Sequence, residues 1–190
     1  MPALKDIPNL LSIARIILSL PVAWLLLNER FSEALLLFFI AGVSDGLDGY
    51  LAKRFGWHSR LGSILDPVAD KMLLVTSFFC LAWVELIPFW LVALVMGRDL
   101  VIVLGGLAFH WLIGHYELQP TWVSKLNTVL QITLVLALVL SNGIYTLPEV
   151  LLVGLVYGVC ITTVLSGLDY VWTWGRKACR VRHLSNGKTS

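Results

Sequence analysis

Four aspartates in two helix-spaced pairs are the residues of this chain best suited to chemistry. Asp45 and Asp48 lie in Ser44-Asp-Gly-Leu-Asp-Gly-Tyr-Leu-Ala-Lys-Arg54. Asp66 and Asp70 follow, after a short basic loop, in Leu61-Gly-Ser-Ile-Leu-Asp-Pro-Val-Ala-Asp-Lys71. Residues three or four apart share one face of a helix, so each pair points one way. If the two helices are antiparallel neighbours, all four carboxylates converge on one pocket and repel unless a cation neutralises them. Oxygen ligands in this number, with no thiolate or imidazole beside them, select Mg²⁺, Mn²⁺ or Ca²⁺ rather than zinc. A pair of divalent ions in such a cluster can clamp a phosphoryl group. The competing reading is a structural ion-pair network with Lys53, Arg54, Arg60 and Lys71. Exposed pairs contribute little, whereas carboxylates set in apolar segments are costly, which favours a functional site. Gly46, Gly49 and Gly62 clear space beside the acidic faces, for a ligand or for a neighbouring helix.

The elements that must hold these residues are membrane spans. The chain has 190 residues, 58% hydrophobic and 14% charged, with mean hydropathy +0.83. A soluble domain is nearer half apolar and about a quarter charged, so the membrane class follows. Apolar stretches near 8–28, 32–53, 62–84, 88–110, 121–141 and 147–172 each approach the roughly 20 residues that cross a bilayer core. No Pro/Gly/Ser-rich linker divides them, so residues 1–190 read as one all-α domain of six spans. Lys53, Arg54 and Arg60 in the second loop, and Arg176, Lys177, Arg180, Arg182 and Lys188 in the tail, share one side with Lys5, Arg15 and Lys125. The other side carries Arg30 among Glu29 and Glu33, then Glu85 and Glu149. The positive-inside rule then places both termini and the acidic motif on the cytoplasmic side, or in the matrix for a mitochondrial membrane. The basic tail suits an anionic lipid surface.

Asp6-Ile-Pro-Asn9 before Leu-Leu-Ser-Ile-Ala-Arg15 reads as a short interfacial helix bending into the membrane, with Pro8 at its start and Pro21 at a kink. No small-residue cleavage site follows, so no secretory leader is expected. Cys80, Cys160 and Cys179 fit neither a disulfide framework nor a zinc site and read as packing residues. His110, His115 and Glu117 are irregularly spaced and read as an interfacial loop rather than a metal site. The net charge of +2 gives no reason to expect nucleic acid.

Asp45-Gly-Leu-Asp-Gly-Tyr-Leu-Ala-Lys53, eight residues, Gly62, three residues, Asp66, three residues, Asp70 resembles the signature of the CDP-alcohol phosphatidyltransferases. The departure is Lys53, where that pattern has arginine; a lysine keeps the charge but loses the bidentate fork, and Arg54 stands beside it. The similarity extends to the opening Ile7-Pro-Asn-Leu-Leu-Ser-Ile-Ala-Arg15. Within the family, Gly97-Arg-Asp-Leu100, Gln119-Pro-Thr-Trp-Val-Ser-Lys-Leu-Asn-Thr-Val-Leu-Gln131 and Gly175-Arg-Lys177 are most similar to the eukaryotic-type, CMP-forming cardiolipin synthases. The phosphatidylglycerophosphate synthases more often carry Arg-Glu where this chain has Arg98-Asp99.

The resemblance implies a six-helix homodimer among membrane lipids, in a bacterial inner membrane, with its site open to the cytoplasm. It implies CDP-diacylglycerol as donor and phosphatidylglycerol as acceptor, with glycerol 3-phosphate as the alternative acceptor. It implies two Mg²⁺ or Mn²⁺ ions held by Asp45, Asp48, Asp66 and Asp70, with Asp70 also the base for the attacking hydroxyl. Asp45, Gly49, Ala52, Lys53, Arg54 and Gly62 would border the donor. The acceptor's own phosphate needs a second cationic site, for which Arg98, Lys125 and Thr128 are the candidates. Arg98 lies roughly 15 Å into its span, a depth at which an arginine must face protein or water. Its structural alternative is a pair with Asp99 or Asp169. A divalent-cation transporter is the rival of another class, but its acids should be spread through several spans, and here they gather at one end.

Overall fold

The computed structural model describes residues 7–55, 62–113 and 121–186, with side chains described for 10, 12–44, 68–105 and 121–170. Its elements are α1 (Ile7–Leu27), α2 (Phe31–Phe55), α3 (Gly62–Trp83), α4 (Phe89–Ile113), α5 (Trp122–Gly143) and α6 (Glu149–Asn186). The six apolar stretches become six helices with one large difference at the end. α6 runs for 38 residues, about 57 Å at the helical rise, where the apolar pattern stops near 172. Residues 173–186 contain no proline and one glycine, Gly175, so the helix meets no strong breaker before Asn186.

α1 is one unbroken helix with Pro8 in its first turn and Pro21 inside. A proline in the first turn removes only an amide that has no helical partner. Pro21 cannot donate to the carbonyl one turn back, and nearby the Ser19 hydroxyl donates to the Ile16 carbonyl at 2.6 Å.

α1 and α3 end in the same way. Arg30 N–H donates to Leu25 and Glu29 N–H to Leu26; Leu86 and Glu85 repeat the pattern on Leu81 and Ala82. In both turns a glutamate takes the left-handed position, φ 57° at Glu29 and 61° at Glu85, where glycine is usual. α5 opens on Thr121, whose side-chain oxygen accepts from the Ser124 amide at 3.3 Å. It closes on Gly143, whose carbonyl accepts from the Ser32 hydroxyl at 2.6 Å, fastening α5 to the start of α2.

The helices close a ring in the order α1, α2, α5, α6, α4, α3, with α3 also touching α5. Direct pairing of the two aspartate-bearing helices was the expectation. Among the described residues, α2 and α3 do not pack closely on one another, and α1 packs against both. The reason lies in the buried stripe Ser12, Arg15, Ser19, Val22 and Leu26 of α1, whose i, i+3, i+7 spacing makes one continuous inward face.

That interior changes character along its length. The apolar core, with Val22, Leu26, Phe31, Phe78, Leu81, Leu91, Leu134 and Val139, gathers around the α1–α2 and α3–α4 turns. Toward the aspartate end the buried polar residues are Ser12, Arg15, Arg98, Asn127, Gln131, Thr162, Thr163 and Ser166. The exterior is the reverse, with Ile17, Leu20, Phe39, Trp83, Val103, Val129 and Leu165 all exposed. An apolar exterior over a polar interior fits a lipid environment. Among the described residues, α5 and the Glu149–Tyr170 part of α6 are long and apolar enough to cross a membrane. Cys80 is buried and Cys160 half-buried, both as thiols; the Cys179 side chain lies outside the described residues.

Candidate functional site

A cavity of about 360 Å³ lies between α1, α2, α3 and α5. Its charged end is formed by Arg15, Asp70, Lys71 and Thr128, and its walls by Phe38, Gly42, Leu74, Ile132 and Leu136. A volume near the lower end of small-molecule sites, apolar but with a few polar groups at one end, suits an amphipathic ligand. A larger groove of about 700 Å³ shares Phe38, Gly42 and Leu136 with it and continues along the α2–α5 seam to Leu140 and Leu147.

At the charged end, the Arg15 guanidinium donates through Nη1 to Asp70 Oδ1. Arg15 is buried while the Asp70 side chain is 55% exposed, so the carboxylate is held from behind and presented forward. Lys71, the next residue, turns to another helix, its Nζ 2.5 Å from Asp99 Oδ2. Asp99 Oδ1 accepts from Arg98 Nη1 at 2.8 Å, so one carboxylate bridges two cations.

Arg98 is a strut between three helices. Its Nε donates to Ser166 Oγ on α6 at 3.1 Å and its Nη2 to Ser124 Oγ on α5 at 2.5 Å. The Tyr170 ring lies 5.9 Å from its guanidinium carbon, within cation–π range. A buried guanidinium needs this many partners, because an unpaired charge there would cost several kcal/mol, on the order of 3–5.

Beside it runs a polar column on α5. Asn127 Oδ1 accepts from Thr162 and Thr163 of α6, both at 2.9 Å. Gln131, one turn on and fully buried, has no hydrogen-bond partner for either amide atom among the described residues, and neither does Asn127 Nδ2.

Of the residues singled out from sequence, Asp70 and Thr128 come together in the cavity. Arg98 is joined to that end through Ser124, one turn before Thr128, and has the Asp99 partner that its structural alternative named. Lys125 is exposed, with its ammonium 5.2 Å from the Trp122 ring centre. Asp45, Asp48, Gly49, Ala52, Lys53 and Arg54 lie on the last turns of α2, and Gly62 and Asp66 on the first turns of α3; their side chains lie outside the described residues. So do the side chains of His110 and the tail cations, and all of Arg60, His115 and Glu117. Among the described residues no group of three His, Cys, Asp or Glu could hold a metal. The all-carboxylate donor set, with Asp70 facing a cavity, nevertheless suits a hard divalent cation.

Arg15 was read from sequence only as a mark of topology, although an arginine inside an apolar stretch is itself a signal of a buried partner. The polar stripe Ser124, Asn127, Gln131 at i, i+3, i+7 was legible and points into the bundle.

The model of the CDP-alcohol phosphatidyltransferase family matches residues 5–168. The chain is 33% identical to a CMP-forming cardiolipin synthase of Rattus norvegicus, over 92% of this chain and 63% of the relative. A CMP-forming cardiolipin synthase of Streptomyces coelicolor is 35% identical over 72% of this chain and 66% of its own length. A chloroplastic CDP-diacylglycerol–glycerol-3-phosphate 3-phosphatidyltransferase of Oryza sativa is 35% identical over 72% and 46%. The chain thus spans less than two thirds of the length of each of these three relatives.

Proposed function

Because the chain belongs to the CDP-alcohol phosphatidyltransferase family, we propose that it transfers a phosphatidyl group from CDP-diacylglycerol to a hydroxyl of phosphatidylglycerol, forming cardiolipin and CMP. The observation that supports this choice of acceptor is the cavity, polar at Arg15, Asp70, Lys71 and Thr128 and sharing Phe38, Gly42 and Leu136 with the apolar α2–α5 groove. A glycerophospholipid matches both parts; glycerol 3-phosphate matches only the first.

The acceptor hydroxyl oxygen forms a bond to the phosphatidyl phosphorus, the bridging P–O bond of the diphosphate breaks, and CMP leaves with the electron pair. Asp70 takes the hydroxyl proton, a general-base role, and Arg15 orients its carboxylate from the buried side. Asp45, Asp48, Asp66 and Asp70 are the proposed ligands of two Mg²⁺ or Mn²⁺ ions, which supply charge neutralisation at the diphosphate when bound. Gly49, Ala52, Lys53, Arg54 and Gly62 border the donor in this reading. Arg98, Lys125 and Thr128 serve the acceptor phosphate. The reading includes six spans with both termini on the cytoplasmic side, a bacterial inner membrane, a homodimer, and a site open to the cytoplasmic leaflet.

Glycerol 3-phosphate is the second reading, favoured by the likeness to the rice transferase. The experiment uses purified protein, labelled CDP-diacylglycerol, Mg²⁺ or Mn²⁺ and one acceptor per tube, with EDTA and Asp70→Asn as controls. Cardiolipin from phosphatidylglycerol alone, lost in both controls, is the expected result. Product from glycerol 3-phosphate alone overturns the acceptor. Product that persists in EDTA overturns the metal, and product undiminished in Asp70→Asn overturns the base.

A further inference from the structure

We propose that Lys71 is an additional ligand for the acceptor's phosphate and that Asp99 is the positioning residue that sets its ammonium. The inference rests on the transfer reading above and extends its acceptor site. Lys71 lines the cavity with Asp70 and Thr128. Its side chain is 40% exposed, while Asp99 is only 13% exposed and its Oδ2 forms an ion pair with the ammonium at 2.5 Å. An ammonium has three donors, so one held by a single carboxylate oxygen keeps donors for the cavity. Arg98 is more heavily committed: its Nε and both Nη2 hydrogens go to Ser166 and Ser124 and one Nη1 hydrogen to Asp99, which leaves a single N–H. Of the two cations that share Asp99, the lysine has more donors to offer and is the one that lines the cavity.

The sharing also explains why a carboxylate belongs there. A lysine next in sequence to Asp70 would otherwise be drawn to the nearest acidic group, which is where the reacting hydroxyl must sit. Asp99 comes from α4, outside the cavity's walls, and draws the ammonium to the α4 side. Its second oxygen is fixed by Arg98, itself braced on α5 and α6, so the carboxylate has little freedom to follow the lysine. The chain Ser166–Arg98–Asp99–Lys71 thus transmits the rigidity of three helices to a flexible side chain on a fourth.

The test measures kcat and separate KM values for acceptor and CDP-diacylglycerol in wild type, Asp99→Asn, Asp99→Glu, Lys71→Met, Lys71→Arg and the Asp99→Asn/Lys71→Met double variant. Asp99→Asn and Lys71→Met should each raise the acceptor KM about tenfold or more, the scale of one charge-assisted hydrogen bond, and leave the donor KM within about twofold. The double variant should be no worse than Lys71→Met alone, because Asp99 acts through the lysine. Lys71→Arg should recover part of the acceptor affinity, and Asp99→Glu part of what Asp99→Asn loses. An unchanged acceptor KM in Lys71→Met overturns the ligand role. A further loss on adding Asp99→Asn to Lys71→Met overturns the positioning role, and an equal rise in both KM values marks a merely structural effect. Should Asp99→Asn fail to fold, the two Lys71 variants decide the ligand role and Asp99→Glu the positioning one. If wild type uses glycerol 3-phosphate instead of phosphatidylglycerol, the acceptor reading fails, and the same cycle with that phosphate still decides the proposal. A wild type that releases no CMP with either acceptor overturns both.

Discussion

Replacing Gly143 by alanine should destabilise the bundle, although alanine is ordinarily the better helix former. The added Cβ would lie 2.8 Å from the Ser32 amide nitrogen, 2.9 Å from the Phe31 carbonyl carbon and 3.2 Å from Phe31 Cβ. Carbon contacts relax near 3.5 Å, so the α2–α5 seam must open by about 0.6 Å. The first two atoms are backbone, and no rotamer change relieves them. The same movement stretches the Ser32 to Gly143 hydrogen bond, now 2.6 Å, toward the limit of a useful contact. Overpacking of this kind costs about 1–3 kcal/mol and the hydrogen bond about 1 more, together about 2–4 kcal/mol. Gly154→Ala is the control, because a Cβ there meets nothing within 4 Å, and relief of a glycine inside a helix is worth about 0.5–1 kcal/mol. The assay is thermal unfolding in detergent. Gly143→Ala should melt on the order of 10 °C below wild type, and Gly154→Ala slightly above it. A Gly143→Ala protein that melts with or above wild type would show that the close approach does not constrain this seam.

Arg15→Met should lower kcat about tenfold to hundredfold while the acceptor KM stays within about twofold, since the carboxylate that it orients acts on the reacting proton; Arg15→Lys should restore part of it. A wild-type kcat in Arg15→Met would remove Arg15 from the site. Gln131→Leu should raise stability by about 1–3 kcal/mol without loss of turnover, because it deletes a fully buried amide that has no hydrogen-bond partner among the described residues. A lower melting temperature would mean that the amide is satisfied in the working protein, by water or by substrate.

The helices were legible in the sequence because each is a long apolar run, and hydrophobic length alone sets where a chain can cross a bilayer. The paired spacing of the aspartates was legible for the same local reason: i, i+3 and i, i+4 fix a shared face before any packing is known. What α2 and α3 do with those faces was not legible. A short loop makes two helices look like neighbours, yet the stripe Ser12, Arg15, Ser19, Val22, Leu26 brings α1 against both, and Arg15 of that stripe lines the cavity. The end of α6 escaped for a related reason, since hydropathy marks where lipid ends and not where backbone hydrogen bonding does. Above all, sequence places Lys71 beside Asp70 and Arg98 beside Asp99, but not Lys71 on Asp99 or Arg15 on Asp70. Charges along a chain can be counted from the residues. Which carboxylate neutralises which cation depends on distances between helices, and only the packed bundle decides those.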